Sequence, residues 1–131
     1  MGEMQSQETG AAANAYGRET AQSLARAIGA ASTSSTSNEF ELNGASVTIR
    51  CAHTKTTSVG VTLLMLDRVS KVLGAFEDEH GRYSVYALSS ETFKNHMRPT
   101  RSRGSAAGKV GLVSRTVFEQ FGSALASGIR V

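Results

Sequence analysis

The sequence predicts an α/β (α+β) fold, a mixed central β-sheet flanked by helices, on three observations. Residues 39–52 alternate apolar and polar side chains around an Asn-Gly pair, the pattern of a β-hairpin. Residues 72–76 and 83–88 are two further strand-like runs, joined by the charged turn Glu77-Asp-Glu-His-Gly81. Apolar residues recur at helical spacing near both ends of the chain. A length of 131 residues suits one domain with a modest core. The expected organisation is a disordered tail at 1–10 and a single domain at 11–131, with a basic loop at 97–109.

Residues 1–10 offer almost nothing to bury. From 11 to 28, Gly17, Ala21, Leu24, Ala25 and Ile28 share one helical stripe, and Gly29 is the expected stop. Small residues dominate that stripe, so the helix can sit close against a sheet. The Ser/Thr run at 31–37 has no apolar period and reads as a loop. In the hairpin, Phe40, Leu42, Val47, Ile49 and Cys51 share one face, while Glu39, Glu41, Thr48 and Arg50 share the other. Residues 53–60 are polar and Thr-rich, a loop or an irregular strand edge. Residues 62–69 read as a short buried helix capped by Thr62, with a strand from Val59 as the alternative. Ser89-Ser90-Glu91 opens a helix to about His96, with an acid in its first turn. Residues 97–108 hold the one proline and read as an exposed loop, and 110–113 as a short strand. Ser114 caps a last helix whose stripe is Val117, Phe118, Phe121 and Leu125. No internal repeat is visible.

Composition narrows the function classes. One cysteine excludes an intramolecular disulfide framework and a multi-Cys zinc site, and fits a reducing cytoplasm. No apolar run approaches the roughly 20 residues that span a bilayer. The first ten residues lack the basic-then-apolar order of a secretory signal. A cytoplasmic protein without a membrane partner is therefore expected. The net charge of +3 conceals a split. Residues 1–93 carry seven Lys/Arg and ten Asp/Glu, a balance of −3, whereas residues 94–131 carry seven basic residues and Glu119 alone, a balance of +6. Charge gathered at one end points to a polyanionic partner.

The polar hairpin face is the first chemical candidate. Two carboxylates on one strand beside a cation on the next can bring a divalent metal and a phosphate together. The bland reading is a solvated hairpin with cross-strand ion pairs, worth a few tenths of a kcal/mol each. The run Asn38-Glu-Phe-Glu-Leu-Asn-Gly-Ala-Ser-Val-Thr-Ile-Arg-Cys-Ala52, after a helix containing Gly17-Arg-Glu19, resembles the PD-(D/E)XK (restriction-endonuclease-like) superfamily. The strands of 71–88 and the capped helix from Ser89 are similar to that group's continuation, so the resemblance covers about residues 14–96. It implies a restriction-endonuclease-like fold and a Mg²⁺-dependent endonuclease centre. In it Glu19 is the helix acid, Glu39 or Glu41 the strand acid, Glu39 and Glu41 the metal ligands, and Arg50 clamps the scissile phosphate. The motif is atypical. Thr48 stands where the second acid belongs, and Arg50 where a lysine belongs. A hydroxyl is a weaker ligand than a carboxylate, and a guanidinium stays charged where a neutral base is needed. Either cleavage is lost and binding kept, or the missing acid comes from another position.

The second candidate is basic. Arg98, Arg101, Arg103, Lys109 and Arg115 are five cations in eighteen residues with no acid between them. Gly and Ser there let the backbone approach phosphates, and Arg contacts phosphate bidentately. Nucleic acid, with DNA favoured, is the expected partner. The alternative is a non-catalytic interaction subunit that docks this basic part on an acidic protein; a homodimer or partner subunit fits either reading. Gly104-Ser-Ala-Ala-Gly-Lys109 mimics a phosphate-binding P-loop, but it is one residue short between its glycines and Val110 replaces the required Ser/Thr. Cys51 reads as a core thiol. The three histidines lack metal-ligand spacing, and Tyr83 and Tyr86 point to opposite faces, so they form no stacking platform.

Overall fold

A computed structural model of the chain describes residues 19–33, 39–99 and 110–130. Helix α1 spans 19–28 and is followed by β1 (Ala31–Ser32), β2 (Glu39–Leu42), β3 (Ala45–Ala52) and β4 (Ser58–Thr62). Then come α2 (Leu63–Arg68), β5 (Lys71–Glu77), β6 (Tyr83–Ser89), α3 (Ser90–His96) and β7 (Arg98–Pro99). β8 (Val110–Ser114), α4 (Arg115–Phe121) and β9 (Ser123–Ile129) complete the order. The expected tail at 1–10 and most of the loop at 97–109 lie outside the described residues.

The β2–β3 hairpin follows from its turn. Asn43 and Gly44 both adopt positive φ, 53° and 81°, as a two-residue turn matched to strand twist requires. The turn sets Phe40 opposite Val47 and Glu39 opposite Thr48. β3 then pairs with β5 in parallel, and a parallel pair needs a crossover, which β4 and α2 supply. The main sheet runs β1-β2-β3-β5-β6-β9, antiparallel at every other contact. A smaller antiparallel sheet runs β4-β8-β7. The mixed sheet expected from sequence is present.

Side-chain alternation divides the core into two. Phe40, Val47, Ile49, Leu73, Ala75, Tyr83 and Val85 point to one face, where Ala21, Leu24 and Ala25 of α1 cover them. Ala52, Val72, Phe76 and Leu88 point to the other, under Leu66 of α2, Phe93 of α3, Phe118 of α4 and Val59, Val61 and Val113 of the small sheet. The small residues of α1 do let that helix lie against the sheet. Thr62 and Ser89 cap α2 and α3, their hydroxyls accepting from Met65 N at 3.2 Å and Thr92 N at 3.1 Å. Ser114 precedes α4 without a side-chain cap bond.

The last helix is shorter than its apolar stripe suggests. α4 ends at Phe121, and Leu125 belongs to β9, which pairs with β6. Gly122 makes the change of direction. A Cβ there would lie 2.5 Å from Phe118 O and 2.7 Å from Ala87 O, so only glycine lets the backbone pass. Ala31 and Ser32, expected in a loop, form a two-residue edge strand against β2. The alternatives for 59–69 are both realised in succession, β4 and then α2. Among the described residues no helix is long and apolar enough to cross a membrane.

Candidate functional site

Strict alternation puts Glu39, Glu41, Thr48 and Arg50 on one face of the main sheet, on the side of α2. That face is not a uniform solvated surface. Thr48 is 1% exposed, whereas Glu41 and Arg50 are exposed. Glu39 is drawn to a residue that no local pattern singles out. Arg68 Nε lies 2.8 Å from Glu39 Oε1, and Nη2 donates to Oε2 at 3.3 Å. Oε1 is shut from solvent and receives no directed hydrogen bond, so proximity of charge alone holds it. The backbone explains why Arg68 arrives here. Ser70 N and Oγ both donate to Ser46 O, at 2.8 and 3.0 Å, which fastens the end of α2 to the start of β3. Ser90 clamps the same segment from the other side, its N donating to Ser70 O and its buried Oγ to Val69 O.

Thr48 Oγ1 is buried without a hydrogen-bond partner. Burying an unpaired hydroxyl is unfavourable by roughly 1–3 kcal/mol. Thr48→Val keeps the branched shape and removes that oxygen, so we expect a gain of about 1 kcal/mol in stability, read by denaturant unfolding. A fall in stability would show that the hydroxyl has a partner.

The remaining predicted residues are dispersed. Glu19 is exposed on α1, which covers the opposite face of the sheet. Arg98 is exposed in β7. Arg115 sits over the Phe76 ring, 5.6 Å from its centroid, and its Nε is 3.5 Å from Glu119 Oε2. Arg101, Arg103, Lys109 and the P-loop mimic lie outside the described residues. Cys51 packs at the edge of the α1-side core, and burial pushes its thiol up to about 12, which makes it a poor nucleophile at neutral pH.

A second polar cluster closes the C-terminal ends of the parallel strands. Glu77 Oε1 accepts from Thr54 N at 3.2 Å and Thr54 Oγ1 at 3.1 Å, and lies 3.2 Å from His53 Nδ1. The His53 contact first, then the Thr54 donors, hold the Glu77 carboxyl below its ordinary value of 4.5. Asp78 is lowered likewise, by the backbone N–H of Arg82 and then of His80. Depressed carboxyls stabilise the fold above their unfolded pKa and lose that contribution as pH falls through the folded value. The difference in Tm between the wild type and Glu77→Gln should therefore be full at pH 6–7 and vanish on acidification below pH 4.5. A difference that is constant across this range would show that the carboxylate charge does not matter.

Among the described residues no three His, Cys, Asp or Glu side chains come close enough to share a metal ion. The face that resembles a nuclease centre offers one carboxylate neutralised by a guanidinium, one neutral hydroxyl and one exposed carboxylate. Of the two acids that the resemblance makes metal ligands, Glu39 is engaged by Arg68, which leaves Glu41 as the one carboxylate on that face without an ion pair among the described residues. No protein-family model, curated protein or solved structure matches this chain. Two features escaped the sequence. Arg68 is 29 positions from Glu39, and the stacked rings of His96 and Phe121 are 25 positions apart. Neither pair has a local signature, because the sheet crossover and the small sheet bring them together.

Proposed function

We propose that this chain binds nucleic acid, double-stranded DNA first, as a relative of the PD-(D/E)XK nucleases that does not cut. The observation carrying this reading is the Glu39–Arg68 ion pair beside the neutral Thr48. One of the two acids that would hold Mg²⁺, Glu39, is engaged by a guanidinium, and Thr48, where the family's second acid belongs, carries no charge. Arg50 remains exposed on the same face, two residues beyond Thr48 and so about 7 Å along the strand. It makes no ion pair among the described residues, so a phosphate can take it without displacing a partner. Arg98 is exposed in the same way, and residues 94–131 concentrate the positive charge. Such contacts position a backbone and carry little sequence information.

Two assays test the reading. Binding of a short duplex should be strong at low salt, fall steeply as salt rises, and weaken when Arg98, Arg101 and Arg103 are replaced by alanine. Plasmid nicking in Mg²⁺ or Mn²⁺ should be absent. Metal-dependent nicking that Glu39→Ala abolishes would establish an active centre. Absence of duplex binding at low salt would leave an acidic protein as the partner.

A further inference from the structure

Four of the five phenylalanines are at most 2% exposed, and Phe121 is the exception at 51%. It is not isolated. The His96 ring, itself on an exposed residue, stacks on it with centroids 4.5 Å apart and planes 24° apart. The two rings come from the ends of α3 and α4, whose packing around Phe93 and Phe118 fixes their relation. A stacked aromatic pair left open to solvent offers a flat π-face, and every nucleobase presents one in return.

The surroundings choose the ligand class. Arg98, two residues beyond His96, is exposed, and its Cα lies within about 7.6 Å of that of His96 because successive Cα atoms are about 3.8 Å apart. Among the described cations from Lys94 to Phe118, Lys94 is paired with Asp67 at 2.8 Å, which leaves Arg98 without an ion pair beside the stack. Glu119, the one acid on α4, is near Arg115. An unpaired cation beside an open aromatic stack is the combination that holds single-stranded nucleic acid, phosphate on the cation and base on the ring. A peptide or lipid surface would not need both.

We infer that the His96–Phe121 stack is a platform for an unpaired nucleobase, so that the preferred ligand is DNA with a single-stranded segment. This rests on the nucleic-acid reading above and narrows it. The test uses the full chain with a blunt duplex and with the same duplex extended by a short overhang carrying 2-aminopurine, whose fluorescence is quenched on stacking. The wild type should quench the probe and prefer the extended duplex by roughly 5- to 150-fold. Phe121→Leu, which keeps an apolar side chain but no ring, should lose both effects, and Phe121→Tyr should keep them. Unchanged melting temperatures would show that both variants fold. Equal quenching by wild type and Phe121→Leu, or no quenching by wild type that binds the extended duplex, overturns the platform and leaves the nucleic-acid reading standing. Failure to bind either duplex at low salt overturns both.

Discussion

Phe118→Ala is expected to destabilise the fold by about 3–5 kcal/mol, the range for truncating a fully buried phenylalanine. Phe118 is 0% exposed and is the ring on which the α2-side core turns. It meets Phe76 edge-on at 5.5 Å and Phe93 at 6.3 Å, joining β5, α3 and α4. Its ring also occupies the space above Gly74, where an added Cβ would lie 2.8 Å from it. A domain of this size has a total stability of roughly 5–15 kcal/mol, so the loss is a large share of it. Thermal melting should show a drop of roughly 10–20 °C. A shift of only a few degrees would mean that α4 does not pack on β5 as described.

The second large effect is on binding. Suppose Arg50, Arg98, Arg101, Arg103 and Lys109 each neutralise one phosphate. Then log K should fall with log salt at a slope of about −4.5, roughly 500-fold between 50 and 200 mM. Replacing Arg98, Arg101 and Arg103 by alanine should flatten the slope to about −1.8. Arg115 is left out of the five because it already serves Phe76 and Glu119. Fluorescence anisotropy of a labelled duplex measures both slopes. An unchanged slope in the triple variant would remove these arginines from the interface.

Local physics carried most of the element reading. The alternation of 39–52 and its Asn-Gly turn read as a hairpin with one apolar face, and the structure has that hairpin, with Phe40 opposite Val47. Thr62 and Ser89 were legible as caps because a hydroxyl before an apolar run satisfies free helical N–H groups. The misreading at Leu125 has an equally physical origin. A four-residue spacing from Phe121 is helical by pattern, but β6 offered a free edge and Gly122 allowed the turn into it.

The candidate site divides in the same way. Which residues share the polar hairpin face follows from period 2 alone, so Glu39, Glu41, Thr48 and Arg50 could be grouped without a structure. Their states could not. Thr48 is buried and unpaired because α2 and the small sheet lie over that face, and Glu39 is neutralised because Ser46, Ser70 and Ser90 fix the end of α2 where Arg68 can reach it. The His96–Phe121 stack likewise needs two helices from distant parts of the chain. Side-chain direction is local, set by backbone geometry one or two residues away. Burial and charge pairing are collective, set by which segments the sheet crossover brings alongside. The charge split between 1–93 and 94–131 belongs to the sequence by itself, and which of the described cations are paired was decided by the tertiary structure.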